Sequence, residues 1–189
     1  VRFSTMSGVL VAHPRADGTI MLDFPAAQLV AAPVPDGLAD ALGVEPAAVY
    51  RTGSLRDLLT VLPDEATVRR LAPDLASLTE LLPREDIRGI IATAGASEPS
   101  CGYDFVSRFF SPAEGIPEDP VTGSAHTALA PYWVCRLERD GLTGLQAAAR
   151  TGLVRTAVHG DRVHLTGRGV TVIDGELARA ARPYSPVSA

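Results

Sequence analysis

Cysteine and long apolar runs are both scarce in this chain of 189 residues. The two cysteines, Cys101 and Cys135, do not make a disulfide framework, so a reducing, cytoplasmic location is expected. The charge-free apolar run 123–135 has 13 residues. A membrane-spanning helix needs about 20. The first residues, VRFSTMSG, also lack the apolar core of a signal peptide. We therefore expect no association with membranes.

Basic residues are also fewer than acidic residues. The chain has 17 basic against 22 acidic residues, a net charge of −5 and a pI near 5.3. The arginines are scattered rather than clustered, and nucleic acids require a basic surface, so no nucleic-acid partner is expected. The hydrophobic share of 46% and the charged share of 21% are those of an ordinary globular protein.

Motifs for metals and nucleotides are lacking too. There is no Gly-x-Gly-x-x-Gly run and no P-loop. The cysteines and the residues His13, His159 and His164 do not have the spacing of metal ligands. Ser124 does not lie in a Gly-x-Ser-x-Gly elbow, because Thr and His occupy the flanking positions. The sequence therefore predicts no metal site.

Short strand patterns dominate the part of the chain before the central motif. Residues 1–5 and 19–24 alternate and predict a hairpin around the turn 13–18. Further strands are predicted at 47–53, 56–62, 87–93 and 103–110.

Helices are predicted in two places before the motif. Asp36 is expected to cap a short helix that ends at Gly43. Residues 64–82 are predicted to form two helices, which are divided at Pro73. Asp74 is expected to cap the second of them. Beyond the motif, short β segments are predicted at 144–149, 152–158, 161–166 and 169–174.

A weak internal repeat links the two ends of the chain. The segments from Ser7 and from Thr151 both run through a glycine and apolar residues to an aspartate turn, and then return as a strand. The aspartate follows the glycine by nine positions in each segment. Duplication and chance resemblance between hairpins both remain open. Duplication would imply that the chain starts partway through its first half.

The segment 118–133, EDPVTGSAHTALAPYW, has the pattern of a turn followed by a buried helix. Pro120 disfavours helix at Asp119. Gly123 lets the backbone approach a ligand closely. The residues from Ser124 onward are apolar on nearly every side. The free N–H groups at the start of such a helix predict a site for a carboxylate or phosphate.

Several side chains around this turn admit two interpretations. Asp119 is placed to serve in proton transfer, but an acid before a helix is more often only a cap. His126 either relays a proton or orients the site, or is a satisfied core residue. Arg108 either pairs with a carboxylate at the site or forms a structural salt bridge. Pro131 predicts a kink in the helix.

The run SRFFSPAEGIPEDPVTGSAHTALAPYW, residues 107–133, closely resembles the signature of the phenazine-biosynthesis PhzF-like family. FSTMSGVL (3–10), LDFPA (22–26), DLLTVL (57–62) and VTVIDGEL (170–177) fit the same family in order and spacing. The resemblance implies a diaminopimelate-epimerase-like α+β fold. In that fold, a curled, mostly antiparallel sheet or barrel surrounds a central helix, here expected at about 123–138.

The family resemblance also implies an activity. Members act by cofactor-independent proton transfer on small carboxylated substrates, in a site between two similar domains. By resemblance, Asp119 and Ser124 are the expected catalytic residues. The expected substrate-binding residues are Thr122, Gly123, Ser124 and Ala125, with His126 and Arg108 as possible supporting residues.

The chain departs from the family pattern in two places. The family's principal acid/base, a glutamate in the N-terminal half followed by a Gly-His-Ala-Thr helix start, does not occur here. In the loop 146–152 a Ser and a Gly that members often carry are replaced. We therefore expect residues 1–33 to be a remnant of the first domain, 34–177 the second domain and 178–189 a tail.

Three hypotheses about function follow from these departures. In the first, the chain supplies the C-terminal half of an isomerase or epimerase site, and the missing N-terminal half supplies the glutamate. In the second, it is a non-catalytic module that binds a small anion or serves in assembly. In the third, a homodimer rebuilds the cleft from two copies of the helix that carries Ser124.

Overall fold

Most of the chain forms one mixed sheet in the computed structural model, which describes residues 1–5, 8–98 and 101–176. In chain order the strands are β1 (Arg2–Thr5), β2 (Gly8–Pro14), β3 (Ile20–Pro25), β4 (Val30–Ala32), β5 (Ala48–Arg51), β6 (Asp57–Val61), β7 (Gly89–Gly95), β8 (Phe105–Ser111), β9 (Ile116–Asp119), β10 (Gly141–Gln146), β11 (Gly152–His159) and β12 (Arg162–Gly167). The helices are α1 (Leu38–Leu42), α2 (Glu65–Arg70), α3 (Leu75–Arg84) and α4 (Gly123–Leu137).

The sheet has the order β1-β2-β3-β12-β11-β10-β8-β7-β6-β5-β4, and β9 pairs with β8 beside this path. Neighbouring strands are antiparallel except for the parallel pairs β6–β7 and β8–β10. Because β1 and β4 lie at opposite ends, the sheet of the described residues does not close into a barrel. The predicted α+β class is confirmed, in the form of an open sheet.

Aspartate caps start both α2 and α3, and the cap of α3 by Asp74 was predicted from the sequence. The carboxylate of Asp64 accepts a hydrogen bond from the Thr67 N–H, 2.7 Å away. The carboxylate of Asp74 accepts from the N–H groups at positions 76 and 77. The predicted cap of α1 was wrong: Gly37, in the left-handed conformation with φ 86°, occupies the N-cap, and no side chain caps the helix. Its predicted end at Gly43 is confirmed.

The two faces of the sheet around β8 bury different helices. Side chains alternate along a strand, so Phe105 and Phe109 pack under α4. Val106 and Phe110 face the opposite way and pack in a second core with residues of α1, α2 and α3. This alternation determines which residues of β8 are able to reach the start of α4.

The central helix α4 lies across β10, β11 and β12 and also contacts β6. It runs from Gly123 to Leu137 and ends at Glu138, which adopts the left-handed conformation with φ 52°. The predicted helix of about 123–138 is therefore confirmed to within a residue. Pro131 lies inside the helix, which continues through it.

Three strand predictions needed correction. The strands 1–5 and 19–24 do not form a hairpin with each other, because β2 lies between them and pairs with both. The segment predicted at 144–149 forms β10 earlier, at Gly141–Gln146. Residues 169–174 form no strand, since they pair with no strand of the described residues and the side chains of Val170 and Val172 are 88% exposed.

The two segments of the internal repeat both form hairpins. β2 pairs with β3, and β11 pairs with β12, each antiparallel. The hairpins are neighbours in the sheet, because β3 pairs with β12 from Ile20–Gly167 to Pro25–Arg162. Ser7, where the first segment starts, lies outside the described residues.

Candidate functional site

The turn before α4 is positioned by the sheet. Asp119 is the last residue of β9 and pairs with Phe109 of β8, so its place at the sheet edge is fixed by strand pairing. Pro120 has no N–H and ends the strand. Thr122 follows as the N-cap of α4, with the extended dihedrals φ −102° and ψ 105°. Asp119 is partly buried and lies one short turn from the helix start.

Gln146, at the end of β10, fixes this turn by hydrogen bonds from its side chain. Its Oε1 accepts a hydrogen bond from the Thr122 N–H at 2.8 Å. Its Nε2 donates to the Asp119 carbonyl oxygen at 2.6 Å and to Thr122 Oγ1 at 3.1 Å. The Thr122 hydroxyl in turn donates to Asp119 Oδ2 at 2.6 Å. The side chain of Gln146 is fully buried, so these bonds form away from solvent.

The first N–H groups of α4 are left open. Because the Thr122 hydroxyl donates to Asp119, it does not cap the helix. Among the described residues the N–H groups of Gly123, Ser124 and Ala125 have no acceptor. Gly123 and Ser124 are partly exposed. Unpaired amides at a helix start favour an anionic ligand, so this helix start stays a candidate anion site.

An ion pair between the buried Asp57 and the partly exposed Arg88 adjoins Ser124. Arg88, just before β7, donates from Nε and Nη2 to the two carboxylate oxygens of Asp57 at 2.9 and 2.6 Å. Its Nη2 also donates to Ser124 Oγ at 3.1 Å. Burial raises the pKa of the Asp57 carboxyl, and the Arg88 guanidinium opposes that shift. Hydrogen bonding to Asp57 raises the pKa of Arg88, and the nearby charge of Asp119 adds to it.

His126 is fully buried one turn inside α4. Its Nδ1 lies 2.8 Å from the Thr122 carbonyl oxygen. A carbonyl only accepts, so Nδ1 carries the proton and Nε2 is the unprotonated nitrogen. Nε2 has no hydrogen-bond partner among the described residues. Burial lowers the pKa of His126, so the ring is neutral and its contact with the site passes through the Thr122 carbonyl.

Arg108 lies on the other face of the sheet, with Val106 and Phe110. It forms a double hydrogen bond with Glu118, at 2.6 and 3.0 Å. It also donates to the carbonyl oxygens of Val68 and Leu71 at the end of α2. The structure therefore gives Arg108 a salt bridge beside the turn and does not bring it to Ser124.

Sequence reasoning missed three residues of this arrangement. Asp57 and Arg88 each introduce a charge next to an apolar strand, and their parallel strands place them side by side, with Asp57 opposite Gly89. Gln146 is a polar residue at a buried position of an alternating strand. The sequence signal available for all three was a charged or amide side chain within a buried strand pattern. Their partners could not be read from it, because these are distant in the sequence.

A small cleft of about 190 Å³ opens beside Ser124. Its lining is mainly apolar and consists of Leu10, Phe24, Pro25, Ala26, Ala27, Ser54, Leu55, Ser124 and Thr127. Within the described ranges, no three His, Cys, Asp or Glu side chains are grouped so as to hold a metal ion. No helix in the described part of the chain has the length and apolar character needed to cross a membrane.

Comparison with known proteins identifies the family. The model of the phenazine biosynthesis-like protein family matches residues 2–175, and the chain belongs to this family. An uncharacterised isomerase of Pseudomonas aeruginosa is 42% identical over 177 residues, which cover 94% of this chain and 64% of the relative. A second uncharacterised isomerase, from Halalkalibacterium halodurans, is 40% identical over 178 residues, with the same coverage.

Solved structures of this family have the same fold. A phenazine biosynthesis PhzF-family protein of Enterococcus faecalis superposes with a TM-score of 0.77 at 35% identity, covering 89% of this chain and 60% of that one. A putative PhzC/PhzF protein of Clostridium difficile gives 0.78 at 32% identity, covering 94% and 64%. The chain thus spans just under two thirds of the length of the curated relatives it matches.

Proposed function

We propose that this chain contributes one half of an isomerase site in which a small carboxylated metabolite undergoes proton transfer without a cofactor. The supporting observation is the set of open amides at Gly123, Ser124 and Ala125 beside the Asp119 carboxylate. The names of the Pseudomonas and Halalkalibacterium relatives, both uncharacterised isomerases, support the reaction class.

In this proposal the helix start binds the substrate carboxylate. The three amides and the positive end of the α4 dipole stabilise a negative charge there, and Ser124 adds a hydroxyl. The turn is held rigid by Gln146, so the amides are already in place before binding. A rigid site loses little conformational freedom when the ligand binds.

Asp119 is the proposed proton-transfer group of this half. One carboxylate oxygen accepts from Thr122, and the other has no partner among the described residues. A carboxylate with one fixed and one open oxygen is oriented to exchange a proton with a bound substrate. The second acid/base group, and with it the opposing wall of the site, would come from outside these 189 residues, either from an N-terminal half or from a second copy.

The carboxylate site is tested by titrating the protein with sodium propionate at constant ionic strength and following backbone amide signals by NMR. The signals of Gly123, Ser124 and Ala125 are expected to shift together. Asp119→Asn is expected to leave that binding intact or to strengthen it, because it removes a neighbouring negative charge. Absence of any shift at these three residues in the wild type would contradict the proposal.

Proton transfer is tested by deuterium incorporation from D₂O into a panel of small carboxylated metabolites. The full-length Pseudomonas relative is assayed in parallel to find the metabolites of the panel on which this family exchanges a proton. The 189-residue protein alone is expected to be inactive, and a chimera with the part of that relative outside the match is expected to be active. Asp119→Asn in the chimera is expected to lower the rate at least about 100-fold. A folded chimera that binds propionate but exchanges no proton would favour the non-catalytic anion-binding module.

A further inference from the structure

The hydrogen bond between Arg88 and Ser124 fixes the polarity of the Ser124 hydroxyl. A guanidinium has donors but no acceptor, so Ser124 Oγ must accept in this contact, at 3.1 Å from Nη2. One lone pair of the oxygen is thereby occupied. Among the described residues the Ser124 hydroxyl proton itself has no acceptor. That proton is therefore free to point away from Arg88, toward the position that an anion bound at the open amides of α4 would occupy.

We propose that Arg88 is a positioning residue that makes the Ser124 hydroxyl a hydrogen-bond donor to the bound anion. The inference rests on the proposed carboxylate site. It adds Arg88 to that site and gives the direction of the hydrogen bond that the Ser124 hydroxyl makes. A ligand group at Ser124 then meets three converging donors: the hydroxyl and the amides of Gly123 and Ala125. Such a set selects a carboxylate over a neutral amide, because the donors stabilise a negative charge that the neutral amide lacks.

Asp57 makes this orientation rigid. Its side chain is 0% exposed and binds the guanidinium through both oxygens, which leaves Arg88 one orientation. The guanidinium carbon also lies 5.4 Å from the centre of the Phe109 ring, which limits movement on that side. Because Asp57 largely neutralises Arg88, the effect of Arg88 on a ligand passes mainly through Ser124 rather than through a free charge.

A double-mutant cycle tests whether Arg88 acts through Ser124. Arg88 is removed together with its partner, as Asp57→Asn with Arg88→Gln, so that no charge is left buried alone. Ser124→Ala is then measured in the wild type and in this neutral pair. The readout is the propionate dissociation constant from the Gly123 and Ala125 amide shifts.

Ser124→Ala is expected to weaken propionate binding about 5- to 10-fold in the wild type and less than about twofold in the neutral pair. Propionamide is expected to bind the wild type far more weakly than propionate. In the neutral pair, the ratio of the two dissociation constants is expected to be smaller. Arg139→Gln is the matched control, because it removes one arginine charge beyond the opposite end of α4. It is expected to leave all constants unchanged.

Arg88→Lys is the second variant, for the case that the neutral pair does not give a folded spectrum. Lysine keeps the charge next to Asp57 but has no planar fork to bind Asp57 and Ser124 together, so the loss of coupling is again expected. Equal effects of Ser124→Ala in both backgrounds would overturn the role of Arg88 while leaving the carboxylate site standing. No propionate shifts in the wild type would instead overturn the proposed site itself.

Discussion

Gln146 and Thr122 are joined by two hydrogen bonds, one from the Thr122 N–H to Gln146 Oε1 at 2.8 Å and one from Gln146 Nε2 to Thr122 Oγ1 at 3.1 Å. Gln146 also donates to the Asp119 carbonyl. The buried side-chain amide of Gln146 thus bonds backbone groups on both sides of Pro120. It does not bond the first N–H groups of α4, which stay open. The open amides therefore depend on a residue more than twenty positions further along the chain.

Replacing Gln146 is expected to destabilise the fold. Gln146→Leu removes the partner of the buried Thr122 N–H and one partner of the partly buried Asp119 carbonyl, which costs about 2–4 kcal/mol in the free energy of unfolding. The matched control is Gln28→Leu, at an exposed position, with an expected change within about 0.5 kcal/mol. Urea denaturation measures both, and similar values for the two variants would show that the Gln146 bonds do not hold the turn.

Gly144 of β10 is expected to be intolerant of a side chain. A Cβ at this position would lie 2.4 Å from the Phe105 ring and 3.3 Å from His126 Nε2. Gly144→Ala is therefore expected to lower the free energy of unfolding by about 2–3 kcal/mol, since both neighbours are buried. Gly141→Ala, in the same strand, meets its nearest atom at 3.9 Å and is the control. Thermal or urea unfolding that ranks the two variants equally would contradict the packing around His126.

Arg108 is expected to matter for stability and not for anion binding. Arg108→Met leaves Glu118 and two carbonyl oxygens without their donor, and the Arg108 side chain is only 12% exposed. We expect a loss of about 2–4 kcal/mol in the free energy of unfolding. The propionate constant of the folded variant is expected to change less than about twofold, because Arg108 lies on the opposite face of β8. A tenfold weakening would place Arg108 in the site after all.

Glu65 is expected to make the fold sensitive to acid. Burial raises its pKa, but hydrogen bonds from Tyr103, the Ser97 N–H and Arg69 outweigh burial and lower the pKa to about 2. The folded pKa is below the unfolded one, so this stabilisation is complete above pH 4.5, the usual pKa, and is lost as the pH falls toward 2. The side chain of Glu65 is 8% exposed. The full contribution is on the order of 3 kcal/mol.

The variant Glu65→Gln tests this dependence. At pH 7 it is expected to be less stable than the wild type, and the difference is expected to shrink steadily between pH 4.5 and pH 2. Urea denaturation at pH 7, 4 and 2.5 measures it. Glu80→Gln, at an exposed position of α3, is the control for a general response to acid. A difference that stays constant down to pH 2.5 would rule out the lowered pKa of Glu65.

The elements that were predicted well carry their signals locally. Asp74 starts α3 and Gly43 ends α1 because capping depends on a few adjacent backbone groups. The helix 123–137 follows a turn that Pro120 and Gly123 define. Predictions failed where the outcome depended on a partner strand. Residues 169–174 have a strand pattern but pair with no strand in the part of the chain that the structure describes, and residues 1–5 pair with β2 instead of β3.

By itself the sequence determined the family, the α+β class and the start of the central helix, because a contiguous motif contains all the groups that make them. Only the tertiary structure decided which side chains surround that helix start. The pairing of β6 with β7 brings Asp57 and Arg88 to Ser124, and the parallel pairing of β10 with β8 brings Gln146 under Thr122. The side-chain alternation of β8 sends Arg108 to the far face. Strand order and register are set by packing across the whole sheet, which no local pattern encodes.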